Sequence, residues 1–118
     1  EQILRKMTEN QPEISRPWVL LGEILLRQGQ AGRAMDAALR GLAHKPNDRT
    51  LLLLKARAEA VRSPILAIPT LKVLREVNPN NTDATLYLAN VYIEVGEPEK
   101  AVNLLKSQLV SRIGTAEE

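Results

Sequence analysis

A short motif occurs in two distant places in the chain, and this repetition limits the possible folds more than any other feature. Residues 29–34 read GQAGRA and residues 96–101 read GEPEKA. Residues 15–48 and residues 82–115 are separated by the same number of residues as the two motifs. Aligning these two segments superposes small and apolar positions. The aligned pairs are Leu21 with Leu88, Gly22 with Ala89, Leu25 with Tyr92, Gly29 with Gly96, Ala34 with Ala101, and Leu42 with Leu109. Self-similarity at a fixed spacing indicates a fold built from stacked units.

The prolines indicate that a third unit lies between the two copies. Pro12, Pro46 and Pro79 follow one another at nearly equal spacing. Two such spacings together equal the separation of the two motif copies, so the middle unit is present but has diverged. The predicted units are residues 15–48, 49–81 and 82–115, with residues 1–14 as the second helix of a preceding unit.

Each unit is expected to form a pair of antiparallel helices. In the first unit, Trp18, Leu21 and Leu25 recur at helical spacing, and Ser15 stands where it can cap their helix. Gly29 can adopt a positive φ angle, which commonly ends a helix. Small residues then let a second helix pack closely against the first; they are Ala34, Ala38 and Gly41.

Composition excludes some function classes and bounds the size of the fold. The 118 residues suffice for one domain, which we expect to be a fragment of a longer repeat protein. The absence of cysteine excludes disulfides, zinc-thiolate sites and thiol nucleophiles. Apolar runs are short, as at residues 51–54 and 65–68. A membrane helix needs about twenty apolar residues, so we expect no membrane span.

The period, the W-x-x-L-G-x-x-L spacing at Trp18 to Leu25, the hairpin Gly and Ala, and the closing Pro-Asn resemble tetratricopeptide repeats (TPR). The resemblance covers nearly the whole chain. It implies an all-α fold, a right-handed superhelical solenoid of antiparallel helix pairs with about seven helices.

The middle unit departs from the family pattern. Ser63 and Pro64 stand where the hairpin glycine is expected, and either Leu54 or Lys55 falls at the usual core leucine position. Pro69 lies several residues into the expected second helix. A proline there removes a backbone hydrogen bond, so it should kink or delay that helix.

The resemblance also implies a binding surface, because the first helices of such units line a concave groove that holds an extended or helical segment of a partner protein. The positions implied to line it are Arg16, Val19, Glu23, Leu26 and Arg27 from the first unit, Leu53, Arg57 and Ala60 from the second, and Leu86, Asn90, Ile93 and Glu94 from the third. The alternative is that Leu26, Leu53 and Ile93 simply fill space between adjacent units.

One variant of the family grips a partner's C-terminal carboxylate with Lys, Asn and Arg side chains. The corresponding positions here hold Val19 and Glu23 in the first unit and Asp83 and Tyr87 in the third. This clamp is therefore absent, and the resemblance does not imply a chaperone-tail adaptor.

Charge is distributed unevenly along the chain. Residues 16–75 contain eleven Lys and Arg against four acids, whereas residues 76–118 contain three basic residues against seven acids. The basic middle would attract an acidic partner. The alternative is a solvated face with helical pairs of opposite charge; such pairs are Glu23 with Arg27, Asp36 with Arg40, and Lys72 with Glu76.

Self-association is the main rival to capture of a partner segment. Apolar residues near the two ends of the solenoid are expected to lack a covering helix. They are Ile3, Leu4 and Met7 at one end and Leu104, Leu105 and Leu109 at the other. Contact between such ends would produce a homo-oligomer.

Nucleic-acid binding and catalysis are less favoured. Helical repeats that bind single strands add aromatic stacking platforms to a basic track, but the chain has only Trp18, Tyr87 and Tyr92. His44 is the sole histidine, and no phosphate-binding glycine loop or Ser-His-Asp set is present. We therefore expect no enzyme activity, no metal and no cofactor.

Overall fold

The computed structural model describes residues 2–10 and 14–117, with side chains as far as residue 110. This part of the chain forms seven α-helices, one short 3₁₀ helix and no strand, which confirms the all-α prediction. The helices are α1 (Gln2–Asn10), α2 (Ser15–Arg27), α3 (Ala31–His44), α4 (Arg49–Arg62), the 3₁₀ helix (Pro64–Ala67), α5 (Ile68–Val77), α6 (Thr82–Glu94) and α7 (Pro98–Glu117).

Each helix packs against its neighbours in sequence, and α2 also contacts α4 directly. The molecule measures 47 × 35 × 19 Å. A helix with its side chains is about 10–12 Å wide, so the shortest dimension corresponds to two helix layers. The result is a solenoid of helix pairs. None of the described helices combines the length and the apolar content that crossing a bilayer requires.

The repeated glycines end the first helices of the outer units in the same way. Gly29 has a φ angle of +75° and Gly96 one of +83°. The Gln30 N–H then donates to the Leu25 carbonyl across 2.8 Å, and the Glu97 N–H donates to the Tyr92 carbonyl across 2.7 Å. This hydrogen bond, from the residue after the glycine back into the last turn of the helix, is the Schellman motif. It explains why the glycine motif of the first unit recurs in the third.

The middle unit connects its helices differently. Ser63 is extended, with a φ angle of −162°, and the 3₁₀ helix separates it from α5. Pro69 is the second residue of α5, a position where the missing N–H would have no helical partner in any case. Pro69 therefore delays the second helix, as expected, and does not kink it. The 3₁₀ helix contacts both α4 and α6.

Side chains cap two of the first helices, but not at the residue expected in the first unit. The carboxylate of Asp48 accepts hydrogen bonds from the N–H groups of Thr50 and Leu51 at the start of α4, and the side chain of Asn81 accepts one from Ala84 in α6. The predicted cap at Ser15 is wrong. Ser15 is already the first residue of α2, and its hydroxyl contacts Asp48 instead.

Two apolar clusters form the core, and α4 contributes to both. Leu51 and Ala58 belong to the cluster around Trp18, whereas Leu52 and Ala56 belong to the cluster around Leu88. In the ambiguous pair of the middle unit, Leu54 is buried and Lys55 is only partly buried. The core is therefore continuous along the solenoid, as stacking of interdependent units requires.

Candidate partner-binding surface

The outward faces of α2, α4 and α6 form a surface that we call the first-helix surface. Among its expected residues, Arg16, Arg27 and Asn90 are exposed, and Glu23 and Arg57 are partly buried. Val19 differs, because it is only 8% exposed and packs in the cluster around Trp18. Val19 therefore acts mainly as a core residue and offers little area to a partner.

The apolar members of the surface fall into two groups. Leu26, Leu53 and Ala60 are partly buried and pack against the core clusters. Leu86 and Ile93 on α6 are 49% and 56% exposed. Exposed apolar area on this surface is thus concentrated in the third unit.

Arg57 joins two units across the first-helix surface. Its guanidinium Nη1 lies 3.8 Å from the Glu23 carboxylate Oε1 on α2, and both side chains are roughly 40% exposed. The sequence predicted that Glu23 would pair with Arg27 on its own helix, but the structure pairs it with the neighbouring unit. A long, half-exposed ion pair of this kind contributes at most about 1 kcal/mol, so the guanidinium can exchange its partner at little cost.

Tyr87 adds an aromatic ring to this charged site. It is partly buried against the cluster around Leu88 and lies within electrostatic range of Arg57 and Glu94. Burial raises the pKa of the Tyr87 phenol, Arg57 opposes that rise, and Glu94 adds to it. The sequence prediction did not include Tyr87 among the groove-lining residues. Its helical spacing from Asn90 and Glu94 was the signal that places it on the same face.

The remaining candidates for stacking and catalysis lie elsewhere. Trp18 and Tyr92 are 7% and 8% exposed and belong to the core, so neither offers a stacking platform. His44 is the last residue of α3, where a cation interacts favourably with the helix dipole. Within the described residues, no three His, Asp or Glu side chains cluster closely enough to hold a metal ion.

The two ends of the solenoid carry exposed apolar side chains. Ile3 and Met7 on α1 are exposed, as are Leu105 and Leu109 on α7. The other two residues expected there, Leu4 and Leu104, are partly buried and pack against the core clusters. Each end therefore exposes some, but not all, of the apolar residues that were expected to be uncovered.

The chain matches models of one family over most of its length. Two tetratricopeptide repeat models match, one over residues 15–58 and the other over residues 64–110. The second match begins in the 3₁₀ helix, so it includes the second helix of the divergent unit. No curated protein matches the chain.

Several solved structures share the fold. The crystal structure of MamA is 18% identical with a TM-score of 0.76, and the match covers 91% of this chain and 63% of MamA. The structure of YrrB, described as a TPR protein with an unusual peptide-binding site, is 17% identical with a TM-score of 0.76. The match covers 90% of this chain and 55% of YrrB. The chain therefore spans less than two thirds of the length of these proteins.

Proposed function

This chain belongs to the tetratricopeptide repeat family, and we propose that it is a non-catalytic scaffold that binds a segment of a partner protein across its first-helix surface. Tetratricopeptide repeats are generally interaction scaffolds, which supports the coarser part of this proposal. The peptide-binding site in the description of YrrB supports it by analogy of fold.

The observation that carries the proposal is the placement of Arg57. This residue of the second unit pairs with Glu23 of the first unit, and its charge also acts on Tyr87 of the third. An arginine in a weak ion pair can form a bidentate contact with a carboxylate of a partner.

The apolar groups beside this site favour a partner with both acidic and apolar residues. Leu86 and Ile93 are exposed on the same helix as Tyr87. A segment that places an acidic side chain at Arg57 and an apolar one on α6 would use both parts of the surface. The basic excess of residues 16–75 would favour its approach.

The test selects random peptides from a display library on the full chain and titrates the selected peptides by calorimetry. Arg57→Glu should weaken their binding about tenfold or more, since it replaces attraction by repulsion. Lys72→Glu is the matched control, because Lys72 is an exposed cation on α5, a second helix. Selected peptides that bind all three proteins equally would contradict the proposal.

A second candidate function is self-assembly through the solenoid ends. Val102, Leu105 and Leu109 on α7 are exposed. The equivalent residues of the first unit are Met35, Ala38 and Leu42, which are buried or partly buried. The α3 helix that carries them packs against α4. The exposed face of α7 is thus apolar, like the face of α3 that another helix covers. This similarity supports docking of α7 against a second copy of the chain.

Light scattering after size exclusion, across a concentration series, tests this candidate. A dimer that dissociates in Leu109→Glu but persists in Leu39→Glu would support it, because Leu39 is a comparably exposed leucine on α3, away from both ends. A monomer at every concentration would contradict it. Nucleic-acid binding is less favoured, since two of the three aromatic rings are in the core.

A further inference from the structure

A cleft of about 470 Å³ lies between α1, α2 and α3. Its floor is apolar and consists of Trp18, Leu21 and Leu25. These residues are on the opposite side of α2 from Glu23, because their positions around the helix differ from that of Glu23 by nearly half a turn. The cleft is therefore separate from the first-helix surface.

One position that lines the cleft holds a smaller residue than its equivalent in the third unit. Ala37 lines it, and the equivalent residue of the third unit is Leu104, which packs against the core. The first unit thus lacks the larger side chain that the third unit has at this position.

The cleft has the size and lining of a binding site. Its volume falls within the roughly 300–1,000 Å³ range of ligand pockets. The rim carries three guanidinium groups and two carboxylates, from Arg5, Arg33, Arg40, Glu9 and Asp36. Asp36 and Arg40 form an ion pair at 3.1 Å, but both side chains are more than 60% exposed, so this pair is weak. The rim is therefore positive by one charge and adaptable.

The shape of the cleft indicates the kind of occupant. Its lining on α3 runs from Arg33 to His44, which is about 16 Å along a helix. An extended chain covers that distance with about five residues. We propose that the cleft binds a segment of a partner protein that inserts an apolar side chain between α1 and α3 and places flanking acidic side chains on the rim arginines.

This second site would act independently of the first-helix surface. Trp18 is the only tryptophan in the chain, so its fluorescence reports on the cleft. The probe is a pool of amidated octapeptides with a central Leu, Ile or Phe flanked by Asp and Glu. The control pool replaces every acid with Lys. The full chain is titrated with each pool while tryptophan fluorescence and heat are recorded.

We expect the acidic pool to give a saturable fluorescence change and to bind about tenfold more tightly than the lysine pool. Ala37→Leu should reduce its affinity about tenfold or more by filling the cleft, and the native Leu104 at the equivalent position suggests that the fold tolerates this change. Ala31→Leu, on the same helix but outside the cleft, should leave binding unchanged, and the fluorescence titration is also carried out on Arg57→Glu.

Three outcomes would overturn the inference. One is the absence of saturable binding by the acidic pool, and another is equal binding by wild type and Ala37→Leu. The third is loss of binding in Arg57→Glu alone, which would assign the peptides to the first-helix surface and leave the proposed function standing. Should Ala37→Leu fail to fold, Arg33→Glu provides the same test through charge: it should weaken binding of the acidic pool, and an unchanged affinity would contradict the inference.

Discussion

The Thr70 hydroxyl donates a hydrogen bond of 2.6 Å to the Glu59 carboxylate and thereby joins α5 to α4. Thr70 is 4% exposed, so the hydroxyl has little access to water. The bond lies in the unit that lacks a hairpin glycine and whose second helix starts late. It therefore links α4 and α5 through polar groups. The loop between these two helices differs from the hairpin loops of the other two units.

We predict that Thr70→Val lowers the free energy of unfolding by about 1–3 kcal/mol, because valine keeps the shape but leaves a partly buried carboxylate without its donor. Urea denaturation measures the loss. Glu59→Gln should cost less, since the amide oxygen still accepts the bond. Equal losses in both variants would contradict this account and would point to the charge of Glu59 instead.

A second prediction concerns the cap of α4. Asp48 accepts hydrogen bonds from the Thr50 and Leu51 N–H groups at 3.0 and 3.1 Å. Asp48→Ala should therefore cost about 0.5–2 kcal/mol, and Asp48→Asn much less, because asparagine caps nearly as well. Thermal unfolding of the two variants checks this order. A similar loss in both would mean that the negative charge, not the cap, matters at this position.

The same residue gives a pH dependence. Partial burial of Asp48 raises its pKa, but hydrogen bonds from the Thr50 hydroxyl, Leu51, Ser15 and the Thr50 N–H together lower the pKa below its usual value. A lowered pKa means that the stabilisation is present above the unfolded-state pKa, about 3.9, and is lost as the pH falls through the folded-state pKa.

Wild type should consequently lose stability relative to Asp48→Asn as the pH falls below about 3.9. Urea midpoints of both proteins across this range give the comparison. Parallel curves would show that Asp48 does not titrate differently in the folded and unfolded states.

The sequence predicted those features that depend on one residue or one spacing. Gly29 and Gly96 end their helices as the motif indicated, and Pro69 delays α5 because proline cannot donate a hydrogen bond. The prediction for Ser15 failed, because a cap needs a specific backbone position and the helix begins one residue earlier than the pattern suggested.

Contacts between units were harder to predict. Glu23 has a nearby partner in sequence, Arg27, but contacts Arg57 of the next unit instead, and only the packing of α2 against α4 decides between them. The open cleft beside Ala37 likewise depends on how three helices diverge. The burial of Val19 depends on α4 as well, since its cluster includes Leu51 and Ala58. The use of the first-helix surface by a partner stays a prediction.

A third prediction uses two glycines in helical positions. A Cβ atom added at Gly22 would lie 2.3 Å from Cδ2 of Leu54, whereas one added at Gly32 would meet no atom within 4 Å. Leu54 is only 1% exposed, so its side chain has little room to move. Gly22→Ala should destabilise by about 1–3 kcal/mol.

Gly32→Ala is the matched control and should stabilise by up to about 1 kcal/mol through helix propensity. Thermal unfolding of the two single variants compares them directly. Equal stability of Gly22→Ala and the control would contradict this prediction. It would mean that Leu54 can move away from the added methyl group without loss of stability.

The last prediction tests the site around Arg57 without any ligand. Burial raises the pKa of Tyr87, Arg57 lowers it, and Glu94 raises it. Removing the positive charge in Arg57→Gln should raise the Tyr87 pKa further, and removing the negative charge in Glu94→Gln should lower it. NMR titration of labelled tyrosine separates the Tyr87 signal from that of Tyr92.

Lys72→Gln, which removes a cation from a second helix, is the control and should leave the Tyr87 pKa unchanged. An equal effect of Lys72→Gln and Arg57→Gln on the Tyr87 pKa would show that the phenol responds only to the net charge of the protein. Arg57 would then not be close enough to Tyr87 to bring an acidic group of a partner against the ring.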